Sequence, residues 1–128
     1  MLFDTTFLID QQREFRRGTI GPARQFFAHH AEVCPRTSVV CAAEFAEGYE
    51  AGHQSLFEQV MEPYEVLPLN AGIAWRAGQL RRQLREGGAA IGDHDTLIAA
   101  TALHHAIPLV TRNAKHFAPV PGLLVLSY

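Results

Sequence analysis

The sequence predicts an α/β fold, a three-layer α/β/α sandwich around a central parallel sheet. Three observations predict it. Short apolar runs alternate with helix-patterned stretches along the whole chain. The 128 residues match one domain, and no repeat, low-complexity tract or Ser/Gly linker divides them, so 1–128 read as a single domain. Hydrophobic residues make up 48% and charged residues 19%, enough apolar matter for one core and too little charge for a disordered chain.

The elements follow in order. "MLFD" (1–4) is a short apolar strand ending in an acid. "TFLIDQQREFRR" (6–17) carries a helical pattern. "GPARQFFAHHA" (21–31) opens on Gly-Pro, a helix-start signal, and repeats apolar residues at helical spacing. "EVCPRTS" (32–38) predicts a strand ending at Pro35 or soon after. Ser38 is the N-cap expected for a helix over 38–52. A shorter helix over 55–63 stops at Pro63, and 64–69 is a strand. Asn70 and Gly87-Gly88 bound an amphipathic helix over 70–88. A further helix covers 93–106, a strand 107–111, a loop or turn of helix 112–117, and a last strand 122–128. Phe3, Phe7, Phe26, Phe27, Phe45, Phe57 and Trp75 are expected in the core. Cys34 and Cys41 lack a metal-ligand spacing and are expected as buried free thiols.

Composition excludes some classes. No apolar run reaches the roughly 18 residues that span a bilayer. The N-terminus has no basic region or cleavage site of a secretory signal, so a soluble cytoplasmic protein is expected. The formal charge of -2 does not advertise a nucleic-acid binder. Acids that bind divalent metal count fully negative in that sum, so it does not exclude one either.

The acids sort by the face they occupy. In an open parallel sheet, ligands bind beyond the carboxyl ends of the strands, so acids placed there matter most. Asp4 directly follows the first apolar run. It is also a ready N-cap for the next helix, with Thr5 and Thr6 as competitors. A helix turns about 100° per residue, so Asp93 and Asp95 face nearly opposite ways. Asp95 shares its face with Ile98, Ala99, Ala102 and Leu103, and is expected to point inward. Asp93 shares a mixed face with Thr96, Leu97, Ala100 and Thr101, and is expected as an N-cap. Glu44 lies with Val40, Cys41 and Gly48, whereas Glu47 and Glu50 look solvated. Asp4, Glu44 and Asp95 thus arrive from three segments. Like charges brought together repel. A hard divalent cation with oxygen ligands, magnesium above all, would reconcile them.

Four stretches carry a resemblance: "LFDTTFLID", "TSVVCAAEFAEG", "IGDHDTLIAATALHHAIPLVTRNAKHF" and "VPGLLVL". In order and spacing they resemble the PIN-domain proteins, specifically the VapC-type toxins of bacterial toxin–antitoxin pairs. The resemblance covers nearly the whole chain. It implies a metal-dependent endoribonuclease using Mg2+ or Mn2+, an RNA substrate, a cognate antitoxin and a homodimer. The family's first acid falls on Asp4, its helix glutamate on Glu44 and its next aspartate on Asp95, the same three residues that the face argument selects. A fourth position falls on Asn113, with Thr6 and Thr111 in supporting places. Many relatives carry an acid before the aromatic of the last motif, where this chain has His116 before Phe117.

Arg112, Lys115 and His116 are candidate substrate contacts beside that motif, while Arg81, Arg82 and Arg85 read as a solvated helix face. His94 is expected on the exposed surface, and the His29–His30 and His104–His105 pairs lack a zinc spacing. Two other readings stand beside the nuclease. One keeps the fold as a non-catalytic nucleic-acid-binding or regulatory module, favoured by His116 and the neutral Asn113. The other is a magnesium phosphohydrolase on a similar sheet, for which "DTTF" lacks the second aspartate two residues on.

Overall fold

Leu2 and Phe3 are both buried, as a strand covered on both faces requires. They form β1 (Leu2–Phe3), and the computed structural model, which describes residues 1–128, builds the sheet around it. The chain continues as α1 (Thr5–Arg16), α2 (Pro22–His29), β2 (Arg36–Ser38), α3 (Val39–Ala46) and a 3-10 turn (Ala51–His53). Then come α4 (Gln54–Met61), β3 (Glu65–Leu67), α5 (Ala71–Glu86) and α6 (Asp93–His104), followed by β4 (Leu109–Val110), α7 (Ala114–Phe117) and β5 (Val125–Leu126). The predicted sandwich with a parallel sheet is what forms.

Strand order is β3-β2-β1-β4-β5, all parallel. Leu2 pairs with Arg36 on one side and Leu109 on the other, and Phe3 pairs with Val110. The chain winds outward from β1 to β3, then returns to lay β4 against the free side of β1. The order therefore reverses between β1 and β4. That is where a doubly wound sheet opens a crevice at its carboxyl edge.

Local chemistry starts and stops the helices. Asp4, Ser38 and Asn70 cap α1, α3 and α5, each accepting the amide three residues on. Gly21 cannot cap α2 with a side chain, so Glu14 of α1 does it from outside, accepting the amides of Ala23 at 3.0 Å and Arg24 at 2.9 Å. The core gathers Phe7, Leu8, Ile98, Leu109 and Val110, all essentially without exposure. Phe3 sits beside the rings of Phe7, Phe26, Phe27 and Tyr64.

Several expectations are corrected. The strand expected to end near Pro35 begins after it, at Arg36. Proline has no amide to donate, so pairing with the first strand starts with the Arg36 amide on Met1. The helix expected over 38–52 ends at Ala46, where tighter bonds from Gly48 to Phe45 and Tyr49 to Ala46 close it. Trp75 is 72% exposed and outside the core, and Cys34 is exposed while Cys41 is buried. Asp93 is not the cap of α6. Gly92 takes that position at φ 85°, and Asp93, inside the helix, pairs with Arg81 at 2.8 Å on the surface. The face assigned to Asp93 is buried as well. Thr96, Ala100 and Thr101 are covered, and Ile73 and Ala77 of α5 cluster with Ala100. This helix is enclosed on two sides, which blurs the contrast between its faces.

Candidate functional site

Asp4 sits at the carboxyl end of the central strand and is 4% exposed. Its Oδ1 accepts the Phe7 amide at 3.1 Å and the Thr6 hydroxyl at 2.6 Å. Its Oδ2 accepts the Thr111 hydroxyl at 2.5 Å, directly across the β1–β4 reversal. Burial raises its pKa, against the lowering effect of those hydroxyls and amides. Thr111 is fully buried and in turn accepts the Asn113 amide at 3.0 Å. Thr6 accepts the Arg112 amide at 3.1 Å. The two predicted supporting hydroxyls therefore both touch Asp4 and both hold the loop after β4.

Glu44 projects from α3, part-buried. Its Oε1 accepts the Thr5 hydroxyl at 2.8 Å, and its Oε2 lies 3.6 Å from His94 Nδ1. Asp95 lies in the first turn of α6, also part-buried, with His116 Nε2 2.7 Å from its Oδ2. These contacts place the three acids around one end of the sheet. Thr5, next to Asp4, touches Glu44, and His94, next to Asp95, approaches Glu44. The acids do not touch one another. No three His, Cys, Asp or Glu side chains stand close enough to cradle an ion, and each carboxylate has its own local donor.

The chemistry of the donor set nonetheless fits a hard divalent cation. Three carboxylates with flanking hydroxyl oxygens suit magnesium or manganese. Asp4, Glu44 and Asp95 are the groups that would hold it.

Beside Asp95 opens a cleft of about 710 Å³, lined by Asp95, Arg112, Asn113, Lys115, His116 and Ser127. Asn113 and Lys115 present exposed side chains to it. Arg112 is committed elsewhere: its guanidinium donates to both carboxylate oxygens of Asp10 at 2.8 Å, and Tyr128 donates to the same acid. Arg112 therefore clamps the loop to α1 instead of reaching freely into the cleft. The arginines of α5 are on the surface as expected, Arg81 on Asp93 and Arg82 on Glu86.

Sequence reasoning missed three contributors. Thr5 was only a competing cap, yet it holds Glu44. His94 was only surface, yet it reaches the Glu44 carboxylate. Asp10 carried no signal at all, because its partners Arg112 and Tyr128 lie at the far end of the chain. The run of two threonines after Asp4 was the one legible clue, since alternate hydroxyls at a helix start can serve two acids.

Comparison with known proteins bears on this geometry. A PIN domain model matches residues 1–123. Ribonuclease VapC1 of Methanocaldococcus jannaschii is 31% identical over 121 residues, covering 91% of this chain and 78% of that protein. Ribonuclease VapC2 of Rickettsia felis is 33% identical over 76 residues, 59% of this chain, and the match spans only 57% of that relative's length. A solved toxin-antitoxin complex from Klebsiella pneumoniae is 28% identical with a TM-score of 0.73, covering 98% of this chain and 94% of that one. A match that runs from the first strand to Leu123, on a sheet whose reversal point carries Asp4, establishes that the chain belongs to the PIN-domain family.

Proposed function

We propose that this chain is a metal-dependent endoribonuclease that acts as the toxin of a toxin–antitoxin pair. The observation that carries the reading is Asp4: a buried carboxylate at the switch point of the sheet, with Glu44 on α3 linked to the neighbouring Thr5 and Asp95 on α6 at the same end. A buried acid is costly unless something compensates its charge. Bound there, magnesium or manganese would acidify a coordinated water and offset charge on a phosphodiester. Asp4, Glu44 and Asp95 are the residues that would hold the ion. Thr111 and Thr6 fix the Asp4 carboxylate in one orientation. Asn113 and Lys115 face the cleft and receive the RNA backbone, a contact that carries no sequence preference by itself. The relatives named as ribonucleases support the activity.

The Klebsiella pneumoniae complex supports a cognate antitoxin as partner. The groove offered to it holds about 490 Å³ and is lined by Phe15, Phe27, Val60 and Pro63 with Gln11 and Arg24. Phe15 is 73% exposed in the isolated chain, which an apolar peptide would cover. A homodimer and a cytoplasmic location belong to the same proposal. The non-catalytic reading draws on the ungathered acids.

One experiment separates the two. Purified protein is incubated with a structured RNA pool and magnesium or manganese, beside Asp95→Asn and a chelator control. Cuts that need metal and vanish in the variant establish the nuclease. Equal cutting by Asp95→Asn, or none by a folded native chain that binds the metal, rejects it.

A further inference from the structure

His116 lies on α7, one residue before the buried Phe117, and its ring does something definite. Nε2 lies 2.7 Å from Asp95 Oδ2 and 2.9 Å from the Ile91 carbonyl oxygen. Both neighbours are acceptors, so this nitrogen carries the hydrogen and donates to both. The Ile91 carbonyl belongs to the turn that enters α6 just before Gly92, whose φ is 85°. The ring is thus anchored on backbone, independently of the carboxylate it serves. Its own backbone is equally fixed: the next residue, Phe117, is 2% exposed and holds α7 in the core. The opposite oxygen, Asp95 Oδ1, accepts no hydrogen bond from the protein.

The geometry points to His116 as a positioning residue that sets the Asp95 carboxylate for a divalent cation, pinning Oδ2 and leaving Oδ1 open. This rests on the metal-site reading above. Asp95 is only part-buried on a first helical turn, so without a donor its side chain is free to change rotamer. Partners that orient a ligand from behind are worth about 10–100-fold in metal affinity.

The test is a calorimetric titration of the full chain with Mn2+, for the native protein and for His116→Ala, His116→Gln and Asp95→Asn. The glutamine amide nitrogen stands near the place of Nε2 and keeps a donor. His116→Ala is expected to bind Mn2+ about 10–100-fold more weakly and His116→Gln to recover most of that, with melting temperatures near native. Excess Mn2+ should then restore cleavage by His116→Ala, which a misfolded site would not allow. Native binding by His116→Ala, or tighter binding, overturns the inference alone, as does a glutamine variant no better than alanine. A native chain that takes up no Mn2+ overturns the metal site itself, and this inference with it.

Discussion

Asp4 accepts the Phe7 amide with one oxygen and the Thr111 hydroxyl with the other. It therefore starts a helix with one oxygen and ties β1 to the loop after β4 with the other. The two roles separate by mutation. Asp4→Asn keeps a cap oxygen, so the protein should fold while cleavage is abolished. Asp4→Ala loses the cap too, and thermal melts should show a further loss of about 1 kcal/mol. A variant Asp4→Asn with full activity would remove Asp4 from the site. Thr111→Val leaves Asp4 Oδ2 and the Asn113 amide without their partner. Unfolding by denaturant should place the cost at about 1–3 kcal/mol, because the orphaned groups are buried or part-buried. The strand-end position of Asp4 was legible in the sequence, whereas the face argument for Asp95 weakens because α6 is buried on both sides and Asp95 is part-buried. The partners were not legible, because Thr5, His94 and Asp10 act across the fold on residues distant in sequence.

At the scale of elements, the entry to α6 decides how Asp95 is presented. Gly92 sits at φ 85° and ψ 163°, a backbone region essentially reserved for glycine, and a Cβ there would meet open space. The cost of Gly92→Ala is therefore conformational, about 1–3 kcal/mol, and should appear as a lowered melting temperature with cleavage reduced. An unchanged melting temperature would mean the turn relaxes freely. The sequence suggested Asp93 for this cap because aspartate is the commoner choice and its spacing allows it. The chain uses glycine because the turn needs a positive φ, which no hydrophobic pattern encodes. The same limit explains the strand after Pro35. Missing amides show where pairing cannot begin, whereas the register with Met1 and Glu65 is set by strands elsewhere in the sequence. Capping was the readable part: Ser38 and Asn70 announce α3 and α5, and both act as read.

Across the whole molecule, alternation of strands and helices was enough to foresee the parallel sandwich, because parallel neighbours need a crossover between them. Which surface residues stay exposed was less legible. Trp75 follows helical spacing yet lies outside, and Cys34 differs from Cys41 only in what the fold lays over it. The cysteines give a check on this layout. Burial pushes the Cys41 thiol up to about 11, so it stays protonated below that pH, and Cys34 is exposed. Alkylation of the native protein at pH 8 should label one thiol per chain, Cys34, and denaturant should release the second. Two labels on the folded protein would contradict the placement of α3.

The central claim is that acids from three separate elements make one metal centre. Crystals grown with Mn2+ and measured for anomalous scattering test it most directly. An ion is expected among Asp4, Glu44 and Asp95, with Glu44 turned from its contact with Thr5. Manganese bound elsewhere, or absent at saturating concentration while the three acids keep their present partners, would contradict it.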